Sequence, residues 1–301
     1  MGDQPSTRAV APGPALPHPR TGVLFTSPVP PGTGWPGDHA SADVPVARSA
    51  RDVVRTAEGA TSLLDLDSGS TVCRACPRLV AWREDVAVVK RRAFRDEPYW
   101  GRPAAGFGDP AASLLVVGLA PAAHGANRTG RLFTGDPSGD WIFAALHRAG
   151  VASASTSVDA ADGMLLAGVR MVATVRCAPP DNAPTPVERD TCQPWLVREM
   201  ELMSPTVRAC LALGAFGWEA ALRVVRSQGW QVPRPAPRFG HGAQVGFVRP
   251  DGVVVHLVGC YHVSQRNTQT GRLTEPMLDT VLAEALALAT CRPADRLRQD
   301  G

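Results

Sequence analysis

Apolar positions along the second two thirds of the chain repeat with two different periods. From residue 79 they fall at Leu79, Trp82, Val86, Val89 and Ala93, with Arg83, Glu84, Lys90 and Arg91 on the other side. Steps of three and four trace one face of a helix, so residues 79–93 are predicted as an amphipathic helix. Residues 113–118 (SLLVVG) are instead a short run that is apolar throughout, the pattern of a strand buried on both faces. The two kinds of segment then alternate. Helices are predicted over 139–149, 187–203, 215–226 and 275–289, and strands over 170–175 and 207–213. The helix near 187 carries a start signal, Thr185-Pro186 with Glu188 in the capping-box position. Residues 244–248 and 253–258, joined by Pro250-Asp251-Gly252, are predicted as a hairpin.

Strands that alternate with helices and are apolar on both faces predict a three-layer α/β/α fold with a mainly parallel sheet. No internal repeat is visible. In such folds ligands sit outside the carboxyl ends of the strands. Three loops that follow strands are long and rich in polar residues: 118–136 (GLAPAAHGANRTGRLFTGD), 177–186 (CAPPDNAPTP) and 259–274 (GCYHVSQRNTQTGRLT). Loops of that length in a compact domain are usually functional. One edge of the sheet is therefore expected to carry His124, Asn127, Asp136, Asn182, His262, Ser264 and Asn267.

Residues 1–50 hold ten prolines and no sustained apolar period. Residues 1–68 are therefore predicted as a disordered tail, 69–292 as the folded domain and 293–301 as a short C-terminal tail, with order beginning near Cys73. No window approaches the roughly 18 uninterrupted apolar residues of a membrane span. The first 20 residues contain five prolines where a signal peptide needs an apolar run. Residues 1–6 fit a loose myristoylation pattern, but nothing else points to a membrane. Seven cysteines, an odd number, argue for a reducing compartment and against a disulfide framework. A cytoplasmic monomer is the expectation.

The net charge of +3 hides an asymmetry: residues 1–70 hold five arginines against seven carboxylates, which leaves +5 on residues 71–301. Lys90 is the only lysine among 31 basic residues. Arginine forks phosphates in a bidentate manner, so the balance suits a nucleic acid, although GC-rich codon usage also explains a shortage of lysine.

Several groups carry candidate chemistry. Cys73 and Cys76 form a C-x-x-C before a helix, and Cys177 and Cys192 a second, wider pair. Four converging thiolates hold zinc or an iron–sulfur cluster; the alternative is that Cys177 and Cys192 are buried apolar thiols. Cys210, Cys260 and Cys291 are taken as non-ligands. Residues 125–132 nearly match a phosphate-binding P-loop, but Arg131 and Leu132 stand where Lys and Ser or Thr are needed. That excludes nucleotide hydrolysis and leaves Arg128 and Arg131 either to meet the phosphates of a polymer or to be solvated. Phe133 either stacks on a flat ligand or packs in the core. Asp136, before Pro137, either caps a helix or does chemistry. Asn182 either shapes a turn or reads a base edge. His262 lies at a strand end, where an imidazole is either structural or functional.

Taken together, YWGRP at 99–103, GFGDP at 106–110 and the three loops above resemble the type-B (family 5) uracil-DNA glycosylases over residues 72–290. The resemblance implies the uracil-DNA glycosylase fold, a parallel four-stranded sheet between helices. It implies a structural [4Fe–4S] cluster on Cys73, Cys76, Cys177 and Cys192. The reaction implied is hydrolysis of the N-glycosidic bond of uracil in DNA, double-stranded and possibly also single-stranded, with hypoxanthine or other deaminated bases also accepted. In a duplex the base must first be flipped out.

By motif position, Gly118, Ala120 and Pro121 belong to the water-activating loop. Alanines stand there where other glycosylase classes place a carboxylate or amide, which shifts the catalytic load elsewhere. Asp136 is the candidate for stabilising sugar cation character and orienting water, and Phe133 for stacking on the base. Asn182 is expected in the pocket, and His262 is expected to donate to the base carbonyl. Ser264, Gln265 and Arg266, in the segment 264–270, are expected to press into the duplex. Arg128, Arg131 and Arg272 are candidate phosphate clamps. With no lysine near the pocket, a monofunctional enzyme without lyase activity is expected. Two other functions fit parts of the pattern: a non-catalytic iron–sulfur protein that binds DNA and senses redox state, and a hydrolase of free nucleosides.

Overall fold

The four apolar runs become the parallel centre of one sheet. The computed structural model describes residues 13–290. Strands β4 (Leu114–Gly118), β5 (Val169–Ala173), β6 (Ala209–Leu213) and β8 (Val254–Cys260) lie parallel in the order β5-β4-β6-β8. Leu114 is in register with both Val169 and Ala209, and Ala209 with His256. Two antiparallel edges widen the sheet to six strands: β3 (Phe107–Gly108) beside β5, and β7 (Gln244–Val248) beside β8. The expected hairpin is thus β7–β8, whereas a dipeptide such as β3 leaves no period to read.

Successive side chains of a strand point to opposite faces, and both faces here are covered. Leu114 and Val116 pack with Met171, Leu211 and Val258 beneath α5 (Pro137–Arg148) and α9 (Glu275–Thr290). Leu115 and Val117 pack with Val172 and Ala212 beneath α6 (Pro186–Leu202) and α7 (Gly214–Ser227). Thr185 and Glu188 form the expected capping box on α6. Helix α3 (Pro77–Val89) stops four residues before its predicted end, because Lys90 turns to φ 58°. Two short helices, α4 (Ala126–Thr129) and α8 (Gln265–Gln269), lie within loops predicted as irregular. No described helix is long and apolar enough to cross a membrane.

The N-terminal expectation is corrected for every described residue of the segment. A two-stranded ribbon, β1 (Leu16–Pro17) and β2 (Leu24–Phe25), leads into a cluster of Phe25, Val29, Trp35 and Trp100. Helices α1 (Ala50–Gly59) and α2 (Leu63–Thr71) follow, N-capped by Ser49 and Ser62. Buried Val53, Ala57 and Leu66 pack beside Trp195 of α6. Asp38 forms an ion pair with Arg102 at 2.7 Å, both side chains buried. This segment buries its apolar residues against the domain as well as against itself, so part of its ordering entropy is offset by contacts far away in sequence. Residues 1–12 and 291–301, with the myristoylation pattern, Cys291 and the predicted C-terminal tail, lie outside the described residues.

Asp67 of α2 shows how deeply the segment is engaged. It bonds Arg170 at 2.8 Å and Arg176 at 3.4 Å, and both arginines also pair with Glu199 of α6. All four groups are buried. Removing one partner of such a set typically costs about 3–5 kcal/mol. Asp67→Ala is therefore expected to lower stability by that order in a urea melt, and a chain beginning at residue 69 should fail to fold cooperatively.

Candidate active site

Because four strands run parallel, their carboxyl ends share one edge, and a cleft of about 580 Å³ opens there. Gly118 at the end of β4 with Ala120 and Pro121 after it, Phe133 and Asp136 before α5, Asn182, and His262 after β8 all line it. The sequence placed these groups on one rim, and the fold brings them together.

Phe133 enters the cleft from a left-handed backbone, φ 52°, which is uncommon for a bulky residue and clusters at functional sites. Two glycines make room for it. A Cβ on Gly118 would lie 2.7 Å from the ring tip, and a Cβ on Gly139 would overlap the Phe133 carbonyl. The ring therefore lies against bare backbone at the end of β4.

Asp136 takes the capping position the sequence allowed, and it also lines the cleft. It is the N-cap of α5: Oδ1 accepts from the backbone N–H groups of Ser138 (2.9 Å) and Gly139 (3.0 Å). Oδ2 points toward Gly125, where a Cβ would overlap it. Burial pushes the carboxyl pKa up, and nearby Asp140 adds to this against the two backbone bonds. His262 is placed against Gly214, and burial pushes its pKa down, so the ring is neutral at pH 7. Its carbonyl accepts from Asn267 Nδ2 at 2.8 Å, which anchors the following loop. Asn182 is exposed at the cleft mouth, and it and Asp181 both stand at φ 54°, a conformation that Asn and Asp tolerate better than most residues.

Two residues expected on the DNA are instead inside the protein. Arg128 is buried, pairs with Glu97 at 2.7 Å, donates to the carbonyls of His124 and Gly135, and lies over Phe94. Arg131 is buried among Thr134, Ser157 and the carbonyl of Asp159, and pairs with Asp162 at 2.5 Å. They brace the loop that presents Phe133 and Asp136, and they are not phosphate clamps. Asn127 is likewise buried, its amide donating to the Arg83 carbonyl at 3.1 Å. The exposed cations at the rim are Arg266 and Arg272, with Gln265 beside them and Ser264 as N-cap of α8. Arg272 lies over the Tyr261 ring at 4.7 Å.

This division predicts opposite phenotypes. Arg131→Ala is expected to destabilise the fold by about 3–5 kcal/mol. Arg266→Ala should leave stability unchanged and reduce the slope of log affinity against log salt by about one. Denaturant melts and DNA titrations at several salt concentrations distinguish them.

The sequence missed the floor on the other side. Leu213, Gly214, Ala215 and Phe216 line the cleft, as do Phe239 and Tyr261. Helix α7 starts directly at the end of β6, with Gly214 at φ 84° making the corner, so there is no loop to attract attention. The position itself, the carboxyl end of a parallel strand, was the available signal.

A second, smaller hollow lies on the α1–α3 side. Cys73, Cys76, Cys177 and Cys192 line it with Val53, Arg83 and Trp195. All four thiols are free. Burial and the proximity of Cys177 push Cys73 up to about 11 and Cys76 to about 12, and raise Cys192 as well. Among the described residues no three donors close tightly enough on a point to hold a single metal ion. Cys210 and Cys260 lie in the cores on either side of the sheet instead.

The family model for the Uracil DNA glycosylase superfamily matches residues 105–286. The chain is 57% identical over 272 residues to the type-5 uracil-DNA glycosylase of Mycobacterium tuberculosis, covering 90% of this chain and 98% of that protein. It is 51% identical over 219 residues to the type-5 uracil-DNA glycosylase of Thermus thermophilus, covering 73% and 94%. The corresponding protein of Pyrobaculum aerophilum is 41% identical over 219 residues, covering 73% and 90%. The chain belongs to the uracil-DNA glycosylase superfamily. Within it, these relatives are all type-5 proteins.

Proposed function

We propose that this protein is a base-excision DNA glycosylase that flips uracil out of DNA and hydrolyses its N-glycosidic bond, leaving an abasic site. The observation that carries this is the meeting of Phe133 and Asp136, from the loop before α5, with His262, from the loop after β8, in one cleft beside the exposed Arg266 and Arg272. Membership of the superfamily supports it.

The flipped base stacks on Phe133, which leaves its carbonyl edge to His262. As the bond to C1′ breaks, its electrons go to the base and the sugar becomes cationic. The neutral imidazole donates to the base carbonyl where negative charge gathers. The Asp136 carboxylate faces the developing cation and orients the water; because backbone amides already hold it, it need not reorganise. Water supplies the hydroxyl at C1′, and its proton ends on the departing base. Asn182 contacts base or water from the cleft mouth. No amine attacks the sugar, so no covalent intermediate and no strand cleavage follow. Helix α8 is the wedge that holds the duplex open, stiffer than the irregular loop expected.

Hypoxanthine fits the same scheme, because stacking and one carbonyl contact do not distinguish it from uracil. The four cysteines hold a [4Fe–4S] cluster. When bound, this group supplies a cross-link between the loop before α3, the end of β5 and α6, and takes no part in the reaction. Four free thiols around one hollow that no carboxylate lines support a polynuclear thiolate site. A monomer working on duplex DNA in the cytoplasm completes the proposal.

The test is incubation of the purified protein with duplexes carrying one uracil or one hypoxanthine, followed by alkaline cleavage of abasic sites. Intact strands with both substrates would refute the activity, and an adduct trapped by borohydride would refute the monofunctional mechanism. The pH dependence is also defined. The reaction needs Asp136 ionised, and its pKa lies above the ordinary carboxylate value, so single-turnover rates should fall as pH drops through that raised pKa. The same fall should persist in His262→Ala and vanish in Asp136→Asn.

A further inference from the structure

Six arginines are buried among the described residues: Arg83, Arg102, Arg128, Arg131, Arg170 and Arg176. Five of them pair with a carboxylate, namely Asp38, Glu97, Asp162 and the set of Asp67 with Glu199. Arg83 does not. It is 1% exposed, and its guanidinium meets sulfur: Nη1 donates to Cys177 Sγ at 2.8 Å, and Nη2 to the Cys73 carbonyl at 3.0 Å. Its Nε is buried with no partner. No carboxylate lines the hollow that it shares with the four cysteines.

A guanidinium stays charged in a protein, and a buried charge without a counter-charge is strongly disfavoured. A neutral thiol does not compensate it. Four thiolates gathered on a metal cluster do, because such a group carries net negative charge. We propose that Arg83 is the counter-ion of the group held by Cys73, Cys76, Cys177 and Cys192, and that its hydrogen bond to Cys177 sets how tightly and at what potential that group is held. This rests on the cluster reading given above. Arg83 is thus a positioning residue. It lies nearly two turns into α3, within reach of both the C-x-x-C and the loop after β5.

Charge and hydrogen bonds at the ligand sulfurs set the reduction potential of such clusters. A nearby cation favours the added electron, so its loss makes reduction harder. The experiment compares full-length wild type, Arg83→Lys and Arg83→Gln, purified without oxygen. Iron and sulfide per chain, visible absorbance, the midpoint in a dithionite titration and the rate of bleaching by a chelator are measured. Arg83→Gln should have a more negative midpoint and bleach at least tenfold faster, with Arg83→Lys between it and the wild type. Wild-type midpoint and bleaching rate in Arg83→Gln would overturn the proposal. Should Arg83→Gln fail to assemble, Arg83→Lys decides: a shifted midpoint supports the counter-ion role and an unshifted one removes it. A wild type without iron and sulfide would instead overturn the cluster reading, a result distinct from a loaded wild type whose variants behave identically.

Discussion

Asp136→Asn is expected to lower single-turnover excision of uracil by about a thousandfold, the scale of a lost acid–base and electrostatic group, while the protein melts at the same temperature or higher. Both halves follow from one placement. Asparagine keeps the acceptor that caps α5, so the bonds from Ser138 and Gly139 survive. The negative charge is lost, and with it the attraction to a sugar cation. The sign of the stability effect comes from the raised pKa. A carboxyl whose pKa is higher in the folded than in the unfolded state favours folding only while it is protonated. That contribution is lost as pH rises through the folded value, so at neutral pH the ionised group is a net burden on the fold. Quenched-flow or manual single-turnover assays and a thermal melt of the same preparation check both. A variant that loses its melting transition would show that Asp136 acts through the fold alone.

Gly125→Ala is expected to lower the same rate by about a hundredfold, the scale of an ångström-level displacement at a reacting centre. Gly125 contributes no chemistry of its own. Its missing Cβ is what admits Asp136 Oδ2, and a methyl group there would overlap the carboxylate. The carboxylate must then leave its position over the cleft or drag the start of α5 with it. If that is the mechanism, adding Asp136→Asn to Gly125→Ala should cost far less than it does alone, because both changes remove one interaction. Full additivity in that cycle would contradict it. Substrate affinity, measured with a duplex carrying a non-hydrolysable uridine analogue, should change little in either single variant.

Much of the architecture was legible, for local reasons. The runs LLVVG and ACLAL, apolar at every position, can be strands only if both faces are covered, and a sheet covered on both sides by helices is mainly parallel. From that, the rim that carries Asp136 and His262 follows without any contact being known. The edge strands and the direct β6–α7 corner were not legible, because two residues have no period and a turn made by a single glycine has no loop composition. The N-terminal segment was misread because its prolines hide two serine-capped helices whose apolar faces pack in part against residues far away in sequence. Arg128 and Arg131 were misread for a related reason. A cation in a glycine-rich loop looks like a phosphate ligand until the chain places Glu97 and Asp162 against it.

By itself, the sequence determined the layer order, the edge of the sheet at which ligands can lie and the side-chain types present there, because hydrophobic period and strand direction are local properties. Only the tertiary structure decided which charges face outward. Whether an arginine binds DNA, braces a loop or balances four sulfurs depends on which distant group neutralises it, and that is set by the packed chain as a whole.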